Sequence, residues 1–221
     1  AGGKAPTKVQ CTELYSGGNF HGVSSAWTTS NNMITARRYV VGTAGAVQNA
    51  ALAIGGSEPA KSDHVEHYNG STWANGGFLP NTAAGAGAAG TENSALKFGG
   101  TPSTETVSYN GYVWTVGGAL STGRRYLGSS GLTEDSALAF GGVSPSYETD
   151  TEEYNGITWA AGGALGTALA YNTGVGSQNA ALSIGGKNPA SAAAGAVSGS
   201  TCHYDGSIWS VGGGLIHDVR E

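Results

Sequence analysis

One short pattern recurs four times along the chain and constrains its fold more than any other feature. Each copy has an apolar segment that ends in two glycines, then Tyr-Asn-Gly or Tyr-Asp-Gly, then a tryptophan five positions after the tyrosine. Copies follow one another at intervals of 41 to 50 residues. Repeats of strands at this spacing are typical of β-propellers, in which each repeat forms one blade. The copies contain Gly55-Gly56 with Tyr68 and Trp73, Gly99-Gly100 with Tyr109 and Trp114, Gly141-Gly142 with Tyr154 and Trp159, and Gly185-Gly186 with Tyr204 and Trp209.

A single copy, from about residue 122 to residue 165, predicts four antiparallel strands. The segment Ser136–Phe140 alternates small and large residues, which indicates a buried second strand before the glycine pair. Asn155-Gly156 predicts a type I′ hairpin between the third and fourth strands, because both central positions of that turn need a positive φ. We expect the tyrosine and the tryptophan of each copy to lie in the apolar core, with their polar tips bonded to backbone groups.

The first strand of each copy is poor in side-chain volume, which bears on the number of blades. Residues 82–90 consist only of Thr, Ala and Gly. Such residues suit inner strands that converge on a narrow axis, so four or five blades fit better than seven or eight. Before the four copies, Tyr15 and Trp27 indicate the last two strands of another unit. No matching inner strands follow the fourth copy, so the fifth blade either stays incomplete or is completed by a neighbouring chain or a missing segment.

We therefore predict an all-β fold, a single β-propeller domain over residues 1–221 with four-stranded antiparallel blades. It has five blades, of which four are complete and the N-terminal one is partial. The predicted boundaries are residues 1–34 for the partial blade and residues 35–80, 81–120, 121–166 and 167–216 for the complete blades.

Composition and charge exclude several classes of partner. Charged residues make up 11% of the chain and the formal net charge is −5, so no basic stripe is present to bind nucleic acid through its phosphates. No apolar run approaches 18 residues, so we expect no membrane span. A weakly charged surface rich in Gly, Ala, Ser and Thr suits a durable protein of a virion or of an extracellular surface.

The sequence offers no residue set that we would assign to catalysis, to a metal or to a cofactor. His64 and His67 lie three apart on a predicted strand and therefore point to opposite faces, which does not favour a shared metal ion. Glu152 and Glu153 are adjacent and face opposite ways, so they do not form an acid–base pair. The glycine pairs lack the lysine and the helix start of a phosphate-binding loop. We expect a protein that is not an enzyme and that needs no cofactor.

The clustered cations stand at equivalent places in two of the repeats, at the start of an inner strand and at one rim of the ring. Together with the tyrosines that follow them, they form a candidate site for an anionic sugar or protein, because arginine offers planar, bidentate donors. The alternative, which we favour, is that each arginine pairs with an acidic residue of a neighbouring blade. The candidate residues are Arg37, Arg38, Tyr39, Arg124, Arg125 and Tyr126.

Two cysteines, Cys11 and Cys202, lie near opposite ends of the chain in what look like corresponding strands. They form either a disulfide that fastens the ring or two buried thiols. Two cysteines are too few to define a disulfide framework by their spacing.

The repeat resembles that of Kelch-type propellers, which carry a glycine pair, then a tyrosine, then a tryptophan. The resemblance covers residues 8–215, although the usual Kelch repeat has a longer stretch between the tyrosine and the tryptophan. The segment 151–159, followed by Gly162-Gly163-Ala164-Leu165, and the segment 137–142 are similar to repeats of Kelch-like structural proteins of marine bacteriophages, notably cyanophages.

This resemblance implies a component of the virion surface or of a virion appendage, and it leaves three functions to compare. The first is a non-enzymatic module that presents a rigid propeller for docking to other virion or surface proteins or for host contact, with self-association as one way to complete the ring. The second is a lectin-like propeller of a microbial surface or secreted protein, in which repeated weak sites bind cell-surface glycans. An enzyme would require a site supplied by residues that this chain does not contain.

Overall fold

The computed structural model describes residues 12–16, 26–44, 47–189 and 199–215, with the backbone alone at residues 12–16, 26–28 and 44. All regular structure within these ranges is β-strand. A two-stranded antiparallel sheet, the N-terminal hairpin, consists of β1 (Thr12–Ser16) and β2 (Ala26–Ser30). Four sheets of four antiparallel strands follow, and they confirm the predicted architecture of four complete blades after a partial one.

Each blade is a meander in which consecutive strands pair, and the first strand is the inner one. Blade 1 consists of β3 (Val41–Ala44), β4 (Ala51–Ile54), β5 (His64–Tyr68) and β6 (Trp73–Phe78). Blade 2 consists of β7 (Gly87–Thr91), β8 (Ser94–Phe98), β9 (Thr106–Tyr109) and β10 (Trp114–Val116). Blade 3 consists of β11 (Gly128–Thr133), β12 (Ser136–Phe140), β13 (Thr151–Tyr154) and β14 (Trp159–Ala161). Blade 4 consists of β15 (Thr173–Ser177), β16 (Ala180–Ile184), β17 (Thr201–Tyr204) and β18 (Trp209–Val211).

The turn between the third and fourth strands differs from the predicted type I′ hairpin. Tyr154 pairs with Trp159, so four residues rather than two form the loop. Only Gly156 has a positive φ, of 89°. The Asn155 side chain supplies the rest of the turn, because its Oδ1 accepts hydrogen bonds from the backbone N–H groups of Ile157 and Thr158. The same side-chain bonds recur at Asn69, Asn110 and Asp205.

The glycine pair allows neighbouring blades to approach each other closely. Gly55 has a φ of 62°, and a Cβ there would lie 2.4 Å from the carbonyl oxygen of Ala83 in the segment leading into blade 2. The next residue, Gly56, donates its N–H to that same carbonyl at 2.7 Å. Gly100 and Gly142 form the equivalent bonds to the following blades, so a larger residue in the pair would push the blades apart.

The apolar core lies between the blades, where second strands and aromatic side chains meet. Phe98 of blade 2 packs against Trp159 of blade 3 with ring centroids 4.8 Å apart, and Phe140 packs against Trp209 of blade 4 at the same distance. The repeat tyrosines of the four blades are buried, as the sequence predicts. The inner strands contact one another in chain order, β3 with β7, β7 with β11 and β11 with β15.

Candidate functional site

The six residues predicted as a binding rim divide into a buried pair and a surface group. Arg37 and Arg124 are buried, whereas Arg38 and Tyr39 of blade 1 are exposed and Arg125 and Tyr126 of blade 3 are half-buried. Both groups lie in the segments that lead into the inner strands. Arg37 and Arg124 are therefore inaccessible to a ligand, whereas Arg38 and Arg125 are accessible to one.

Arg37 and Arg124 make the same set of contacts in blades 1 and 3. The Nη1 of Arg124 donates to the carbonyl oxygens of Gly141 and Asp150, and its Nη2 lies 2.6 Å from an oxygen of Glu152. Arg37 bonds in the same way to Gly55, His64 and Glu66. The prediction that an arginine pairs with an acidic residue is confirmed for these two. The partner, however, belongs to the same blade rather than to a neighbouring one, because the arginine reaches across its own second strand to the third.

Three tyrosines form a continuous aromatic row at the entrances to the inner strands. The ring centroids of Tyr39 and Tyr126 are 5.1 Å apart, and those of Tyr126 and Tyr171 are 4.3 Å apart and stacked. Each tyrosine stands two residues before its inner strand, and blade 2 has Gly85 at that position. A Cβ on Gly85 would lie 2.5 Å from the ring of Tyr126, so the glycine makes room for the row.

Backbone hydrogen bonds hold this row in place. The N–H of Gly85 donates to the carbonyl of Tyr39 at 3.0 Å, the N–H of Tyr126 to Gly85 at 2.7 Å, and the N–H of Tyr171 to Tyr126 at 2.8 Å. All three tyrosines have a positive φ, between 56° and 59°. A positive φ is unfavourable for a bulky residue and persists only where the surroundings enforce it. Residues with such strained backbone conformations cluster at ligand sites.

A cation accompanies each tyrosine of the row. The guanidinium carbon of Arg38 lies 5.5 Å from the ring centroid of Tyr39, that of Arg125 lies 5.2 Å from Tyr126, and the ammonium of Lys187 lies 5.4 Å from Tyr171. These distances allow cation–π attraction. Within the described parts of the chain, none of the three cations forms an ion pair with a carboxylate. We call these three tyrosines and three cations the tyrosine rim.

An open cavity of about 180 Å³ is lined by the three tyrosine rings. Its remaining walls include Gly85, Val40, Leu127 and Asn172. Asn172 is buried and donates its Nδ2 to the hydroxyl of Ser183, but its Oδ1 has no hydrogen-bond partner.

The Tyr171 hydroxyl of the rim keeps its proton at neutral pH. Burial raises the pKa of Tyr171, and the neighbouring rings of Tyr126 and Tyr39 raise it further, against a smaller opposing effect of Arg125. Tyr171 therefore presents a neutral hydroxyl beside the cations of the rim. This combination donates hydrogen bonds and attracts anions.

Repeat-by-repeat reading of the sequence missed Tyr171, Lys187, Gly85 and Asn172. Tyr171 carried a usable signal, because it occupies the same position relative to its inner strand as Tyr39 and Tyr126. Lys187 gave no sequence signal, because it follows the glycine pair of blade 4 and lies next to Tyr171 only in the folded chain. Of the two cysteines, Cys11 lies outside the described residues. Cys202 is a half-buried free thiol.

Among the described residues, the histidines do not gather into a second site. His67 bonds through Nδ1 to Glu92 at 3.1 Å, while the His64 ring packs edge-on against Phe78. Across the described ranges, no three His, Cys, Asp or Glu side chains are placed to hold a metal ion. Those ranges also contain no helix with the length and apolarity that a membrane crossing requires.

The sequence matches no protein-family model and no curated protein.

Proposed function

We propose that the protein is a non-enzymatic adhesion module that binds acidic saccharides at the tyrosine rim. The observation that carries this proposal is the row of three tyrosines beside an open cavity, each with a cation that lacks a carboxylate partner in the described chain. Cations attract the acidic group of such a sugar, and aromatic faces suit the apolar face of its ring.

The size and polarity of the cavity favour a sugar residue over other anions. A volume of about 180 Å³ exceeds the space of a single inorganic anion and is below that of a drug-sized pocket. The exposed rings of Tyr39 and Tyr171 can pack against the apolar face of a sugar ring, which an inorganic phosphate or sulfate lacks. Carboxylated sugars such as uronic acids have both an anionic group and hydroxyl donors.

Binding of uronic-acid oligosaccharides tests the proposal. We expect saturable binding by isothermal titration calorimetry, weakened by salt, and no binding of neutral dextran oligosaccharides of the same length. The double variant Arg125→Gln with Lys187→Gln removes two of the three charges and should weaken binding at least tenfold. Lys61→Gln removes one exposed charge outside the rim and serves as the control. Equal affinity of the double variant and the native protein, or binding of neutral and acidic oligosaccharides alike, would overturn the proposal.

We propose further that this module belongs to a virion or cell surface, where it also docks to other surface proteins. The support for this setting is the sequence resemblance to Kelch-like proteins of marine bacteriophages, and the rigid repeat architecture suits it. Recovery of the chain from purified virions, bound to a capsid or tail protein, is the expected result. Recovery only in free, soluble form would contradict the assignment.

A further inference from the structure

Blade 2 departs from the repeat at three positions, and the three side chains concerned meet at one place. Lys97 lies on the second strand, Glu105 just before the third strand, and Asn81 in the segment that leads into the inner strand. We call these residues the blade 2 triad. No other blade combines a lysine, an amide and a carboxylate at these positions. The equivalent residues are Ala53, Ala139 and Ser183 for Lys97, His64, Asp150 and Ser200 for Glu105, and Thr35, Thr122 and Thr167 for Asn81.

A single carboxylate joins the lysine and the asparagine of the triad. The Nζ of Lys97 donates to Oε2 of Glu105 at 3.0 Å, and the Nδ2 of Asn81 donates to Oε1 of the same carboxylate at 2.6 Å. Each of the two nitrogens therefore has its own oxygen of one carboxyl group. The backbone N–H of Glu105 donates to the hydroxyl of Ser103 at 3.0 Å, which fixes the segment that carries the carboxylate.

The environment of the triad suits Lys97 as a nucleophile and Glu105 as a base. Lys97 is 1% exposed, and this burial lowers its pKa against the opposing effect of Glu105, which enlarges the fraction of neutral amine at a given pH. Burial would raise the pKa of Glu105, but the hydrogen bonds from Asn81 and Lys97 and the charge of Lys97 together lower it, so the carboxylate is ionised. The buried arginines of blades 1 and 3 stay protonated and are not nucleophiles.

We propose that Lys97 and Asn81 form an isopeptide bond, with Glu105 as the acid–base catalyst. The lone pair of the neutral Lys97 Nζ attacks Cγ of Asn81, and the bond between Cγ and Nδ2 breaks. Glu105 takes one proton from Nζ and delivers one proton to the leaving Nδ2, so that ammonia departs. The net reaction converts an amine and a primary amide into a secondary amide and ammonia, and it needs no oxidant and no co-reactant. Asn81 is exposed, which gives the ammonia a path to solvent.

The bond closes a loop that contains the whole inner strand of blade 2. This loop runs from Asn81 through β7 and the following turn to Lys97 on β8. A covalent link of this kind restricts the unfolded chain as a disulfide does, and it does so without cysteines. The bond therefore stabilises blade 2 between its two neighbours and is independent of ligand binding at the tyrosine rim.

Mass spectrometry of the native chain tests the proposal directly. We expect an intact mass that is lower than the mass of the sequence by one ammonia. Cleavage after glutamate should release residues 67–92 and 93–105 as one linked species, because Asn81 and Lys97 lie in different peptides. Trypsin should fail to cleave after Lys97. A succinimide at Asn81 also loses one ammonia but leaves the two peptides separate, and that result would overturn the proposal.

Variants of the triad assign the role of each residue. Asn81→Ala should abolish the linked species, and Glu105→Gln, which keeps the size but cannot accept the proton, should reduce the linked fraction at least tenfold. Lys61→Arg changes an exposed lysine outside the triad and should leave the linked fraction unchanged. A circular dichroism spectrum like that of the native chain checks that each variant is folded. A native chain with its full sequence mass, or an equal linked fraction in folded Glu105→Gln, would overturn the proposal.

Discussion

The hydrogen bond of the repeat tryptophan differs between blades, because one blade has valine where the others have threonine. The indole Nε1 of Trp159 donates to the hydroxyl of Thr106 at 2.9 Å, and that of Trp209 donates to Thr151 at the same distance. The Nε1 of Trp114 is buried without a partner. At the position equivalent to Thr106 and Thr151, blade 1 has Val65, which shares the core cluster with Trp114 and cannot accept a hydrogen bond.

Val65→Thr should therefore stabilise the protein, although a hydroxyl in an apolar core usually destabilises. The new hydroxyl has the same shape as the methyl group it replaces and gains the bond that Trp114 lacks, so the free energy of unfolding should rise by about 0.5–1.5 kcal/mol. The reverse change, Thr106→Val, leaves Trp159 Nε1 unpaired and should cost about 1–3 kcal/mol.

Urea unfolding of both variants measures these changes. Val113→Thr makes the same chemical change at an exposed position and should stay within about 0.5 kcal/mol of the native protein. A loss of stability in Val65→Thr as large as that in Thr106→Val would show that the equivalence between the blades does not extend to this bond.

At the scale of the element, the blades fill the space beneath the second strand with different pairs of residues. Blades 1 and 3 bury an arginine that pairs with a glutamate of the third strand. Blade 2 has Ala83 and Val107 at these positions and instead buries Lys97, from the second strand itself, against Glu105. Blade 4 has Leu169 and Cys202 there and no buried cation among its described residues. The site therefore accepts either an ion pair or an apolar pair.

Arg124→Leu should destabilise the protein far more than its double variant with Glu152→Val. Removal of the arginine alone leaves the Glu152 carboxylate buried without its counter-charge, which costs about 3–5 kcal/mol. The double variant combines the leucine that blade 4 has at the first position with the valine that blade 2 has at the second, and it should recover at least half of that loss. Recovery will be incomplete, because the Glu152 carboxylate also accepts the N–H of Ser121 from the segment before blade 3.

Thermal unfolding of the native protein, the single variant and the double variant completes this cycle. Glu148→Val, at a partly exposed glutamate outside the pair, controls for the loss of a carboxylate in blade 3. A double variant as unstable as Arg124→Leu would mean that an apolar pair at this site depends on other residues of its blade.

The strands could be predicted from the repeat, but the turn between the third and fourth strands could not, because a side chain forms part of it. The alternation of Ser136–Phe140 and the position of the glycine pair correctly located the second strand of blade 3. The turn type was wrong, because Asn155 acts through its side-chain oxygen and not through a positive φ. The Asn-Gly dipeptide alone does not distinguish these two uses of asparagine. The pairing register of the two strands distinguishes them, and this register is a property of the folded sheet.

At the scale of the whole molecule, predictability was limited by contacts between blades. Arg125 and Tyr126 were identified as rim residues from their place in one repeat. The rim itself depends on Tyr171 and Lys187 of blade 4 and on the absence of a side chain at Gly85 of blade 2. Such a site arises only when several blades are arranged around one axis, and no single repeat contains it.

The interface between blades 3 and 4 includes a partly buried pair, Tyr204 and Glu153, that makes stability depend on pH. The Tyr204 hydroxyl donates to a carboxylate oxygen of Glu153 and accepts the N–H of Gly163. Burial raises the pKa of Tyr204 to about 12, and the hydrogen bond to Glu153 contributes to the shift. The unfolded chain releases this proton near pH 10. The contribution of Tyr204 to stability is therefore complete below pH 10 and is lost as the pH rises from 10 to 12.

Tyr204→Phe should reduce this alkaline loss. The variant will be less stable than the native protein at pH 8, because Glu153 and Gly163 lose their partner. Its Tm should then fall less steeply than the native Tm between pH 10 and pH 12, so that the two curves converge. Tyr112→Phe, at a tyrosine that is 90% exposed, should follow the native curve throughout. Parallel curves for Tyr204→Phe and the native protein would show that the contact between blades 3 and 4 survives ionisation of Tyr204.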